Sequence, residues 1–403
     1  MKRIFQIIAP ADPPFTPMAF TRIPVVQRFW YGGLAAAAVG FTLGFGLWMW
    51  QHGMLPVEGN YFLIKLMHAR IQIEGFVGSF LLGFALQSGP HMTGGKPPAS
   101  KILLQLLAVL WTGFLLSMTP DMRLALLGNG LSSLAFAWAG YLLLKITLAG
   151  APHLRGARGV PLAAGITLMS ITPWLELDDP GYALFVLWCG PVTVALVAAQ
   201  QLINNVLGGK ILQGRLAILF LTSLTLSWMA TAAAAFTESE SWRLAGLCWL
   251  ATLGLLTVGT DFGQASKRFG WKSINVTLSL GLAYAFVCAI ALMLFQVDQF
   301  LDMAVHLLGA GVLTTLIIGV TARVAGFFSA GAVLPDRLVS WLVALWGVVA
   351  ITRTVSPVTP MEEIWTVWIS VLGGLILILW GIRTGYRLMQ IQKLVPATIT
   401  INQ

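Results

Sequence analysis

Charge is what this chain of 403 residues has least of: only 10% of it is Asp, Glu, Lys or Arg. A soluble domain carries about 25%, so the chain has too few charges to stay dispersed in water. Cysteine is equally scarce. Cys189, Cys248 and Cys288 each stand alone inside an apolar block, which argues against a disulfide framework or a cysteine-ligated metal. The chain lacks a phosphate-binding loop, a zinc-protease helix and a serine nucleophile elbow. It lacks the short cleavable leader of a secreted protein, because the first hydrophobic block is long enough to span a bilayer.

What the chain has is apolar surface: 57% of its residues are hydrophobic, in long unbroken blocks. A membrane β-barrel would alternate instead. Helices remain, since each satisfies its backbone within its own segment. At about 20 residues per span, helices are expected near 29–50, 69–89, 102–119, 123–148, 160–175, 181–204, 212–236, 242–260, 275–296, 302–324, 337–355 and 364–388. The expected fold class is therefore an all-α polytopic integral membrane protein of about twelve transmembrane helices, with N- and C-termini cytoplasmic. Residues 1–28 form a cytoplasmic N-terminal segment, 29–388 the helical domain and 389–403 a cytoplasmic tail.

The basic residues set this orientation. Of 24 Lys and Arg, all but Lys65, Arg70, Arg123, Arg243 and Arg353 fall on the side taken as cytoplasmic, as the positive-inside rule demands. The net charge of +9 is thus spread over many short loops, which excludes a nucleic-acid patch. A bacterial cytoplasmic (inner) membrane follows as the expected location. Polar features do not recur at a half-chain offset, so no internal repeat is read.

An ionisable residue at membrane depth marks a site. His68 and His306 map to the outer ends of the second and tenth helices, and His52 to the outer end of the first. Gln72, Gly75, Ser79 and Gly83 share the His68 face at helical spacing. Such a small-residue stripe would accept a flat macrocycle or a closely packed helix. Asp302, four residues before His306, is spaced either to orient the ring or to cap the helix. Two histidines at one depth suit a six-coordinate haem iron; a closed zinc site wants four ligands. Glu74, on another face of the second helix, is spaced to pair with Arg70, to face a wet cavity or to carry a proton. Arg323 closes the tenth helix.

Two stretches resemble the NnrS family of membrane proteins associated with nitric oxide metabolism. The family pattern His-Ala-His-Glu, then Gly-Phe, then Pro-Asn-Trp-Thr-Gly is similar to His68-Ala69-Arg70-Ile71, Gly75-Phe76 and Pro90-His91-Met92-Thr93-Gly94. A family His, Gly-rich run and Arg-Val is similar to His306, Gly309, Gly311, Gly319 and Thr321-Ala322-Arg323-Val324. The resemblance implies haem and copper as cofactors, and respiratory or denitrification components of the membrane as partners. Arg70 and Ile71 replace family ligands, so copper is left with too few and haem between His68 and His306 remains. The helix count and histidine positions also resemble the catalytic subunit of haem–copper oxidases. The copper-binding histidines of helices six and seven are missing, which argues against a binuclear centre. Two other functions compete: a small-solute transporter using Gln200, Gln201, Asn204 and Asn205, and an assembly subunit of a membrane complex.

Overall fold

The computed structural model describes residues 25–394 except 52, 56–58, 238–240, 295–297, 330 and 357–361. His52, Glu238, Glu240 and the basic Lys2, Arg3 and Arg22 lie outside the described residues. The long helices, in order, are α1 (Val25–Gln51), α2 (Tyr61–Thr93), α3 (Ser100–Ser117), α4 (Met122–Ala149), α5 (152–174), α6 (Pro180–Asn205), α7 (Gly214–Phe236), α8 (Ser241–Gly259), α9 (Ser273–Leu294), α10 (298–328), α11 (Asp336–Val355) and α12 (Glu362–Leu394). All of them except α5 are long and apolar enough to cross a membrane, eleven spans among the described residues. The protein is a multi-pass membrane protein.

Where α5 stands, a span was expected over 160–175. The helical run begins earlier, at Pro152, and is broken into α, π and 3-10 pieces, with Pro161 at the start of the second α piece and Pro173 inside the 3-10 piece. Proline lacks the N–H that would continue the ladder. The stretch 264–274, expected as a loop, holds a short helix, Phe262–Phe269.

Helix starts follow from capping. Asn60 accepts from the Leu63 N–H, Asp121 from Arg123 and Leu124, and Asp179 from Gly181 and Tyr182. Each side-chain oxygen satisfies otherwise orphaned N–H groups. The Asn60 cap starts α2 eight residues before its expected boundary, so His68 lies in the third turn and not at the tip. The α10 helix likewise starts at Asp298, four residues before Asp302.

The twelve helices pack as three similar groups of four: α1–α4, α5–α8 and α9–α12. In each group the first helix lies along the second and the last two form a hairpin. The groups join where α4 meets α5, α8 meets α9 and α12 meets α1. The second member of each group, α2, α6 and α10, runs through the middle, with 83%, 94% and 61% of its apolar window buried; no other span exceeds 56%. The absence of a half-chain repeat in the sequence thus hides a structural repeat of one third of the chain. The outer helices turn Leu126, Leu134 and Leu148, or Val371, Leu375 and Ile382, outward. This is the apolar belt that lipid covers. Small residues let the hairpins close: a Cβ on Gly113 would meet the Ser132 nitrogen at 2.5 Å.

All three central helices carry a π-helical stretch: Ile71–Gly78 in α2, Trp188–Val192 in α6 and Leu307–Thr314 in α10. A π turn frees carbonyls that need other donors. Thr193 donates to Trp188 O at 3.1 Å, Thr314 to Gly309 O at 2.9 Å, and the Trp346 indole to Ala310 O at 2.8 Å. In α6 the cause is Pro191. In α10 the stretch directly follows His306, in α2 it begins three residues after His68, and such insertions recur at functional sites.

Candidate functional site at the histidine end of the central helices

His68 is seated against α1. A Cβ on Gly44 would stand 2.7 Å from its Cε1, so the ring fills the space a side chain would need. Its Nδ1–H donates to the Gly40 carbonyl at 2.9 Å. A carbonyl can only accept, so Nδ1 holds a proton, and in the neutral ring Nε2 holds the lone pair. That Nε2 makes no hydrogen bond among the described residues.

His306 has the same tautomer for the same reason. Its Nδ1 donates to the main-chain carbonyl of Asp302 at 2.9 Å, with the Asp302 carboxylate 3.4 Å away. Asp302 is therefore no helix cap; it lies in the second turn of α10 and orients the ring chiefly through its backbone. Arg353, near the end of α11, donates from Nη2 to His306 Nε2 at 3.3 Å. His68, His306 and Arg353 lie within electrostatic reach of one another. Tyr61 and Lys65 of α2 are likewise in reach of Asp302.

The remaining expected site residues separate. Gln72 packs one turn below His68 against Gly40, where a Cβ would stand 2.9 Å from its Nε2. Gly75 does not face open space: a Cβ there would meet Ala36 at 2.9 Å and Phe114 at 3.0 Å. Gly83 similarly receives Trp30. The small-residue stripe is thus taken up by helix packing against α1 and α3. Arg323 lies 17 residues along α10 from His306, about 25 Å at 1.5 Å per residue.

Arg70, in the place of a family ligand, turns away from the histidine pair. Its Nη1 donates to Asn129 Oδ1 at 3.0 Å and its Nη2 to Pro173 O at 2.7 Å. Among the described residues, no group of three or more His, Cys, Asp or Glu is placed to hold a metal ion.

The pairing of a histidine at the start of α2 with one at the start of α10, each followed by a π stretch, is the arrangement to compare with known proteins. The family model described as NnrS protein matches residues 28–391. This chain belongs to the NnrS family. The match spans both histidine helices and all twelve helices of this NnrS chain. No curated protein matches it.

Sequence reasoning missed Arg353, Tyr61 and Lys65 as neighbours of the pair. One signal pointed to Arg353 and Lys65. Lys65, Arg70 and Arg353 are three of the five basic residues that break the positive-inside count, and all three are engaged in polar contacts at this end. A charge placed against the orientation rule needs another reason to be there.

Proposed function

We propose that this NnrS-family protein binds haem through Nε2 of His68 and Nε2 of His306, and serves the cell's response to nitric oxide or respiratory stress. One observation carries the reading: both imidazoles have Nδ1–H tied to a main-chain carbonyl, so each presents Nε2 as a lone pair. Metal-ligating histidines are held in this way. The two ring tautomers suit axial ligation; binding would also require Arg353 to leave His306 Nε2 and the α1 and α3 side chains packed beneath His68 to move aside. Haem, when bound, supplies an iron that exchanges electrons or takes a small gas molecule. The chain's own part is to hold the two rings, fix their protons on Nδ1 and exclude water with the surrounding apolar helices.

The site faces the outside of a bacterial cytoplasmic membrane in this reading, with the two ends of the chain inside, and electrons come from respiratory or denitrification components of that membrane. Copper is not assigned, because Arg70 stands where a ligand would and points to Asn129. The transporter reading loses its main support. Gln200 accepts from Arg158 and donates to Ala157 O, and Asn204 donates to Gly209 O, so two of its four amides serve helix ends.

The test is an absorption spectrum of protein expressed with ample haem. His68→Ala and His306→Ala should each alter or abolish the same band, while His91→Ala and His153→Ala leave it intact. A colourless wild-type protein ends the proposal; a band unmoved by both first variants keeps the cofactor and discards the site.

A further inference from the structure

Five buried polar atoms between α2, α4 and α5 make no hydrogen bond: Arg70 Nε, both carboxylate oxygens of Glu74, Ser132 Oγ and Thr172 Oγ1. Buried polar atoms are satisfied in nearly all proteins, by protein or by ordered water. Here the helix register puts them together. Arg70 reaches Asn129 on α4 and Pro173 on α5. Two turns further along α2, a Cβ on Gly78 would meet Phe136 on α4 at 3.0 Å and Met169 on α5 at 3.4 Å. Glu74 sits midway between Arg70 and Gly78, Ser132 midway between Asn129 and Phe136, and Thr172 between Met169 and Pro173. The three helices therefore bring Glu74 and Ser132 to one level, with Thr172 nearer the Arg70 end. Glu74 is 1% exposed, and Ser132 and Thr172 are fully buried.

We propose that Arg70, Glu74, Ser132 and Thr172 enclose an internal site for water and one exchangeable proton, below the histidine end of the bundle. An isolated carboxylate in such a place is strongly disfavoured, because nothing replaces the water it has lost. Two arrangements avoid that cost. In one, Glu74 holds the proton as a neutral acid that donates to water. In the other, the O–H bond breaks, the proton leaves by way of that water to bulk solvent, and the carboxylate is balanced by the Arg70 guanidinium through the Nε–H left unused. Arg70 is the charged group in reach of Glu74; α4 offers Asn129 and Ser132, α5 offers Thr172, and α1 and α3 pack beside the adjacent Gly75 with Ala36 and Phe114. A buried site needs two to four polar partners to keep a water, and these atoms supply them. The inference does not depend on haem.

Infrared spectroscopy of the full chain in lipid vesicles tests it. A carboxylic-acid C=O band should be present, rise and fall reversibly with pH while the protein stays folded, and shift in D2O. Glu74→Gln should remove it. Ser132→Ala and Thr172→Val, which take away one water partner each, should shift it without loss. A band that ignores D2O and pH would mean a sealed acid and overturn the proposal, as would a band that survives Glu74→Gln. Should Glu74→Gln fail to fold, the D2O arm and the Ser132→Ala shift decide: an unmoved band in either overturns the site.

Discussion

Gly44→Ala should unseat His68 without touching it. The added Cβ would stand 2.7 Å from the His68 Cε1 and 3.3 Å from its Nδ1. Carbon atoms settle at about 3.5–4.0 Å, so the ring must withdraw by roughly 0.8 Å or more. The hydrogen bond from Nδ1 to Gly40 O is 2.9 Å long, and that withdrawal breaks it. The loss of the bond costs about 1 kcal/mol, and overpacking of this kind about 1–3 kcal/mol. Against this, replacing a helical Gly by Ala returns up to about 1 kcal/mol. Gly46→Ala supplies the control, because a Cβ there meets nothing within 4 Å. Equilibrium unfolding in mixed micelles should rank Gly46→Ala above the parent protein and Gly44→Ala below it. The gap between the two should be about 2–4 kcal/mol. In the His68→Ala background the penalty of Gly44→Ala should vanish, since the ring it strikes is gone; a double-mutant cycle reads that coupling directly. If Gly44→Ala is as stable as Gly46→Ala, or if its penalty persists without His68, the seat described for the histidine is wrong.

Three further outcomes are expected. Arg353→Gln removes the donor on His306 Nε2 and should change the spectrum of a haem-loaded protein, whereas Arg243→Gln, on an exposed stretch of α8, should not. A cysteine at exposed Glu176 should react with an impermeant thiol reagent in intact cells, and one at exposed Lys267 only after lysis; labelling of Lys267→Cys in intact cells would reverse or break the proposed orientation. Metal analysis of purified protein should find less than one copper per chain, and one tightly held copper would mean ligands other than the histidine pair.

The class of this protein was legible before any coordinates. Long apolar blocks, eleven of them borne out as helices of spanning length among the described residues, leave a bilayer-spanning chain no choice but helices, because each must satisfy its own backbone. His68 and His306 were also legible, as ionisable groups in apolar surroundings. Helix starts were less so. Asn60 and the turn before Asp302 extend α2 and α10 outward by one to two turns, since a cap or a polar first turn costs nothing at a membrane surface. Hydropathy therefore reads the helix too short.

What only the tertiary structure decided is which groups meet. Helical spacing on α2 alone left open whether the face with Gly75 and Gly83 beneath His68 takes a flat macrocycle or a packed helix; the side chains that fill it, Ala36, Phe114 and Trp30, come from α1 and α3. The π stretches at 71–78 and 307–314 also rotate every later residue relative to the histidine, which a fixed 100° count cannot follow. Arg353 and Glu74 show the same limit from opposite directions. One is 47 residues from the histidine it contacts, and the other has Arg70 four residues away yet makes no hydrogen bond with it. The sequence by itself determined the solvent, the helices and the scarce polar residues. Partners are chosen by packing between helices distant in the chain, and no local pattern encodes that.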